Sequence, residues 1–168
     1  SSPSRGSSTP RSVTTTRTFV FDTTAPTVTN VTATNADGAY TTNQVVHVRV
    51  TFSEPVDVTG TPSLALNATP ARSATYVSGT GTTTLQFDYT IQNGDASSDL
   101  DYAATTSLSA AGGTIRDATL NNANLTLAAP GTATSLGFNE AIVVDTTAPT
   151  VANVTSSTAN GAYTTGSS

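Results

Sequence analysis

Asp22-Thr23-Thr24-Ala25-Pro26-Thr27-Val28 returns unchanged as Asp145-Thr146-Thr147-Ala148-Pro149-Thr150-Val151, an offset of 123 residues. The agreement continues past the motif: residues 22–43 and 145–166 are identical at 16 of 22 positions, among them Gly38-Ala-Tyr-Thr-Thr42 and Gly161-Ala-Tyr-Thr-Thr165. Self-similarity at a fixed period sets the architecture before any single residue is interpreted. On this reading residues 24–146 are one complete repeat. Residues 147–168 begin a following copy, and 17–23 are the last strand of a preceding repeat or an orphan strand. Residues 1–16 are a Ser/Thr/Pro-rich linker or tail.

The joint between copies has a chemistry of its own. Arg17–Asp22 aligns with Glu140–Asp145, and each segment is a short run of β-formers that ends on the acidic residue. Pro26 and Pro149 have fixed φ and hold Ala25 and Ala148 extended, so the link is a semi-rigid spacer. A cation on Asp22 or Asp145 would stiffen it further.

Within the repeat, two segments alternate cleanly. Val46, Val48, Val50 and Phe52 share one face and His47, Arg49 and Thr51 the other; Leu85, Phe87, Tyr89 and Ile91 oppose Gln86, Asp88 and Thr90. Pro55 ends the first of these, because proline cannot donate to a ladder. Shorter strands are expected at about 27–34, where Val28 and Val31 break the alternation and predict a bulge or a switch between sheets. Others are marked by Leu64 and Leu66, by Ala74 and Tyr76, by Leu125 and Leu127, and by Ile142 to Val144. Asn35-Ala-Asp37-Gly38 and Gly79-Thr-Gly81 read as turns. No segment carries a helical period over helical length. The fold class is all-β: an Ig-like antiparallel sandwich of about seven strands, with partial neighbouring repeats at both ends.

Composition narrows the function. The net charge is −5 with pI near 4.4, and the six basic residues, all Arg, are scattered. Nucleic acid needs a concentrated basic face, so it is not a partner. No apolar run approaches a membrane span. Cysteine is absent, which excludes a disulfide scaffold and leaves the redox compartment open.

Carboxylates at strand ends are the best candidates for chemistry. Ca²⁺ takes six to eight oxygen ligands, from side chains, carbonyls and water, so it requires acids gathered in loops. Asp95, Asp99 and Asp101 lie on one loop, and an extended backbone would point Asp99 and Asp101 the same way. Asp22 and Asp145 mark the joints, and Glu54 closes a strand. Simple alternation sends the strand of Glu54 toward the Asp22 joint and the Asp95–Asp101 loop toward the Asp145 joint, which makes two sites. The competing reading is that Asp in such turns bonds its own backbone. Enzyme chemistry finds little support. His47 is the sole histidine and lies mid-strand, away from any loop that could present it to a nucleophile. A paired-carboxylate glycosidase would need stacking aromatics, and tryptophan is absent.

Six motifs in register, Asp22-Thr-Thr-Ala-Pro-Thr-Val, Val50-Thr-Phe-Ser-Glu54-Pro-Val, Tyr89-Thr-Ile-Gln-Asn-Gly-Asp95, Asp99-Leu-Asp101-Tyr102, Gly113-Thr-Ile-Arg-Asp117 and Ala141-Ile-Val-Val-Asp145, resemble the Ig-like tandem repeats of very large bacterial surface and secreted proteins, adhesins and cadherin-like arrays among them. The resemblance implies an extracellular, rod-forming module without enzymatic activity, often stiffened by Ca²⁺, whose partners are adjacent repeats. One departure stands out: Asp117-Ala-Thr-Leu-Asn-Asn122 occupies the place of a tighter Asp-x-x-Gly-Asn turn. The alternative is a self-assembling filament subunit that binds neighbouring subunits by strand exchange, or a surface module that binds a glycan or protein ligand.

Overall fold

A computed structural model describes residues 1–6, 21–162 and 164–166. Most of the expected strand at 17–22 and most of the tail at 1–16 lie outside them; Phe21 and Asp22 are described and are not in a strand. Among the described residues, ten strands and one short helix follow in order: β1 (Val28–Ala33), β2 (Gly38–Tyr40), β3 (Val45–Thr59), β4 (Ser63–Leu66), β5 (Arg72–Ser78), β6 (Thr82–Thr90), β7 (Ala96–Ser97), β8 (Leu108–Ser109), β9 (Thr114–Arg116), α1 (Leu136–Asn139) and β10 (Ile142–Asp145). The larger sheet runs β1-β3-β6-β5-β4-β8, with β9 also on β3, and is antiparallel throughout. A smaller sheet runs β2-β10-β7. The all-β sandwich expected from the alternation is what forms.

The alternating faces explain why. Val46, Val48, Val50, Leu85, Phe87 and Ile91 are fully buried, and Phe52 and Tyr89 nearly so. β3 and β6 pair in a register that sets Val48 opposite Phe87 and Val50 opposite Leu85, so apolar neighbours meet on the covered face. Tyr76 adds an edge-on contact to the Phe87 ring, centroids 5.9 Å apart. The bulge expected in β1 is present as a register shift between Val28 and Asn30.

Four expectations change. Pro55 does not end its strand: β3 continues to Thr59, and its pairing with β6 shifts register between Thr51 and Val56. A bulge leaves a residue outside the ladder, which is where proline can be tolerated. Beyond it β3 acquires β9, with Asp57 opposite Arg116 and Thr59 opposite Thr114. Leu125 and Leu127 form no strand; Leu127 is buried in the core from a segment held by a bond from its amide to the Thr105 carbonyl. The turn expected at 35–38 forms, but it leads into β2, a strand not expected, which pairs with β10 in parallel. Lastly, residues 136–139 form one helical turn capped by the Ser135 hydroxyl, which accepts from the Phe138 amide.

That turn protects an edge. β1 is terminal in its sheet, yet the Val31 amide donates to the Thr134 carbonyl, the Val31 carbonyl accepts from Asn139 Nδ2, and the Ala33 amide donates to Glu140 Oε1. Side chains and loop backbone thus occupy groups that an incoming strand would need.

The two Asp-Thr-Thr-Ala-Pro motifs sit well apart along β3, the first beside Ser53 and Glu54 and the second near the Val45 end. Ser53 exchanges bonds with Thr27 just after the first motif, through its amide to the Thr27 carbonyl and its hydroxyl from the Thr27 amide. Thr146 of the second is bonded to Gly94 and Asp95, in the turn that follows Ile91; Ile91 pairs with Gln44, just before β3 begins. The ten residues from Gln44 to Glu54 span about 33 Å of strand.

Candidate metal centre

Three acids converge where the first motif meets the sheet. Single carboxylate oxygens of Asp22, Glu54 and Asp117 all lie within 4.8 Å of one another. Each arrives by a separate local cause. Glu54 lies between Thr51 and Val56, where the β3 register shifts. Asp117 is the next residue after Arg116, whose partner is Asp57, so β9 delivers it beside that irregularity. Asp22 is carried in by the motif segment ahead of β1, where the Pro26 carbonyl accepts from the Asn124 amide at 2.8 Å and the Thr27 carbonyl from the Ser53 amide.

The loop after β9 fixes the geometry. Asp117 is buried; its Oδ1 accepts from the amides of Thr119 (2.9 Å) and Asn121 (2.8 Å), and its Oδ2 from Asn121 Nδ2 (2.7 Å). Burial raises its pKa, but these bonds from Asn121 and Thr119 outweigh burial and hold it below the usual carboxylate range. Asn121 Nδ2 also reaches the carbonyls of Asp22 (3.0 Å) and Thr24 (3.3 Å). Asp22 Oδ1 accepts from the Thr24 amide at 2.9 Å. Glu54 is in the opposite condition. Desolvation, then the charges of Asp22 and Asp117, push its pKa up, so without a counter-ion the cluster disfavours its own third charge. An all-oxygen donor set with carbonyls close by suits a hard cation, Ca²⁺ or Mg²⁺; Zn²⁺ sites usually draw on His or Cys.

Of the six residues expected to bind metal, the structure brings Asp22 and Glu54 together and disperses the rest. Asp95 is wholly buried as a structural ion: Oδ1 accepts from Arg72 Nε (2.7 Å), Oδ2 from the Tyr89 hydroxyl (2.7 Å) and the Gln92 amide (2.8 Å). Burial works against its charge, and the bonds from Gln92, Tyr89 and Arg72 outweigh it, so its pKa is lowered. Asp101 is nearly buried and caps the amides of Tyr102 (2.7 Å) and Gly131 (2.9 Å). Asp99 is exposed, beside Asp37 and Glu140 on an open groove. Asp99 and Asp101 therefore do not share a face, because the loop is not an extended strand. Asp145 accepts from the Thr147 amide at 2.9 Å, which lowers its pKa; it belongs to no acidic cluster among the described residues.

Asp117 is the acid of the cluster absent from the sequence-based set, although the stretch Asp117–Asn122 departs visibly from the expected turn. The signal is the departure at Leu120: its φ of 71° is the left-handed conformation that glycine supplies in an Asp-x-x-Gly-Asn turn. His47, the only histidine, has its Nδ1 2.8 Å from Asp88 Oδ1 and 3.5 Å from Gln86 Nε2, on the outer face of the sheet. Compared with protein-family models, curated proteins and solved structures, the chain matches none.

Proposed function

We propose that this chain is a non-enzymatic structural repeat of a bacterial cell-surface or secreted adhesin-like protein, a spacer that holds other parts of that protein at a distance. The observation that carries the reading is the convergence of Asp22, Glu54 and Asp117 on the copied joint motif, with the second copy of that motif at the far end of β3. A module joined at both ends through the same seven residues makes a linear array. A Ca²⁺ ion held by the three carboxylates would tie together the incoming chain, the β3 irregularity and the loop after β9, and so stiffen the joint. The absence of a long apolar helix among the described residues is compatible with this reading. At the outer edge of β1, the groups that an exchanged strand would need are already occupied.

Thermal unfolding in 5 mM EDTA and in Ca²⁺ tests the cation. Ca²⁺ at ten times its Kd should stabilise the fold by about 1.4 kcal/mol. Glu54→Gln should abolish that increment, and Asp145→Asn should leave it intact, because partners for Asp145 would come from a following repeat. An identical melting temperature with and without Ca²⁺ removes the cation from the proposal.

A further inference from the structure

The chain contains both halves of an inter-repeat joint, one at each end, and the two can be overlaid by the 123-residue offset. At the second motif, the repeat being left grips the early residues: Asp145 is in register with Ala96, and the Thr146 hydroxyl donates to the Asp95 carbonyl (2.9 Å) and accepts from the Gly94 amide (3.0 Å). At the first motif, the repeat being entered grips carbonyls: Asn121 Nδ2 reaches those of Asp22 and Thr24, Thr119 Oγ1 lies 3.5 Å from that of Asp22, and the Asn124 amide donates to that of Pro26. The grips interleave. In motif order, Asp is held from both sides, the first Thr by the repeat left, the second Thr by the repeat entered, and Pro by the repeat entered. Only the alanine is without a grip in this set, and the proline after it restricts it to extended backbone.

We propose that successive copies of this chain's repeat dock through Asp145–Pro149 with no free linker between them, so that the joint is stiff without a bound cation. The partner surface is the loop Asp117–Asn124 of the following copy, with its Asn121 counterpart as the clamp. This rests on the modular reading above and adds to it that hydrogen bonds, rather than the ion, set the angle between repeats.

Two measurements in EDTA test it. In the full chain, backbone order parameters should be about 0.85 at Thr24 and below about 0.6 at Thr147 and Ala148, despite identical local sequence. Asn121→Ala should loosen Thr24 and leave Thr146 unchanged; a Thr24 as mobile as Thr147 in the parent would overturn the clamp. In the chain with residues 24–146 inserted a second time after Thr146, residual dipolar couplings should fit one alignment tensor for both repeats. Asn121→Ala in the second repeat should split them into two. Two folded repeats with independent tensors in the parent, or a single tensor only when Ca²⁺ is added, overturn the inference and leave the modular reading standing. An inserted copy that fails to reproduce the parent's amide spectrum overturns the modular reading and the inference with it.

Discussion

Asp95→Asn separates a structural carboxylate from a metal ligand. The substitution keeps the shape and removes the charge and one acceptor. Both oxygens are fully committed, to Arg72 on one side and to Tyr89 and the Gln92 amide on the other. Whichever way the new amide turns, its NH₂ meets a donor. A hydrogen bond to a charged group contributes about 1.5–3 kcal/mol, and breaking a buried ion pair from one side costs about 3–5 kcal/mol. The Arg72 side chain is 25% exposed and can rehydrate, which places the expected loss near the lower end, about 3 kcal/mol. For a folded body of this size that is a fall of roughly 10–15 °C in melting temperature. The pH dependence has a defined sign. The Asp95 pKa is lowered in the fold from an ordinary value of 3.8, so its stabilisation is present above that value and is lost as pH falls through the folded pKa. Asp95→Asn should lack this component of acid destabilisation. Calorimetry from pH 7 down to pH 3 reads both effects, and the Ca²⁺ increment should be the same in parent and variant. A melting temperature within about 2 °C of the parent, or a lost Ca²⁺ response, would refute the structural assignment.

Glu54→Gln should raise the melting temperature in EDTA, since it removes a carboxylate disfavoured by desolvation and by Asp22 and Asp117; a lower value would mean that Glu54 already has a favourable partner. Gly113→Ala should cost about 2–4 kcal/mol by denaturant unfolding, because a Cβ there would collide with the Thr59 carbonyl across the β3–β9 pair. Tyr102, pushed up to about 12 mainly by burial, and Tyr89, raised further by burial and its bond to Asp95, should both stay protonated at pH 11 in a spectrophotometric titration of the native state. Val31→Ala should cost about 2 kcal/mol and Val154→Ala less than about 0.5 kcal/mol, as measured by urea midpoints.

The sheet was legible in the sequence wherever one face is apolar and the other wet. Val46 to Phe52 and Leu85 to Ile91 declare their inner faces by period alone, and a one-residue slip would turn every one of them outward. Leu125 and Leu127 have the same spacing and still form no strand. A two-residue signal specifies a side-chain position, and the backbone there is claimed by bonds to Pro26, Thr105 and Ile115. Pro55 misleads for a related reason. Proline forbids a ladder bond at one residue, and a strand that is already irregular there can pass through it. The metal candidates divide along the same line. Asp22 and Glu54 were placed correctly by strand direction, but strand direction carries no information about an acid at the end of β9. Asp95 looked like a ligand because a loop carboxylate beside other acids is ambiguous until Arg72 is seen to arrive from 23 residues away.

The repeated motif separates what local sequence can specify from what it cannot. Asp22 and Asp145 each accept a bond from the amide two residues on, both at 2.9 Å, so this small turn forms in either setting and is written into the Asp-Thr-Thr stretch itself. The strand that follows is not. Val-Thr-Asn-Val-Thr at 28–32 lies along β3 with Val31 1% exposed, while Val-Ala-Asn-Val-Thr at 151–155 forms no strand and leaves Val154 84% exposed. The second copy cannot take the place of the first within its own chain. Thr146 is tied near Gln44, and the few residues from there to Val151 cover at most about 18 Å, against roughly 26 Å along β3 from Gln44 to Phe52, the partner of Val28. The segment accordingly belongs to neither sheet. Val31 is buried and Val28 partly buried in the first copy, and their counterparts Val154 and Val151 are exposed in the second, so the same pattern of residues is a strand only where β3 lies beside it.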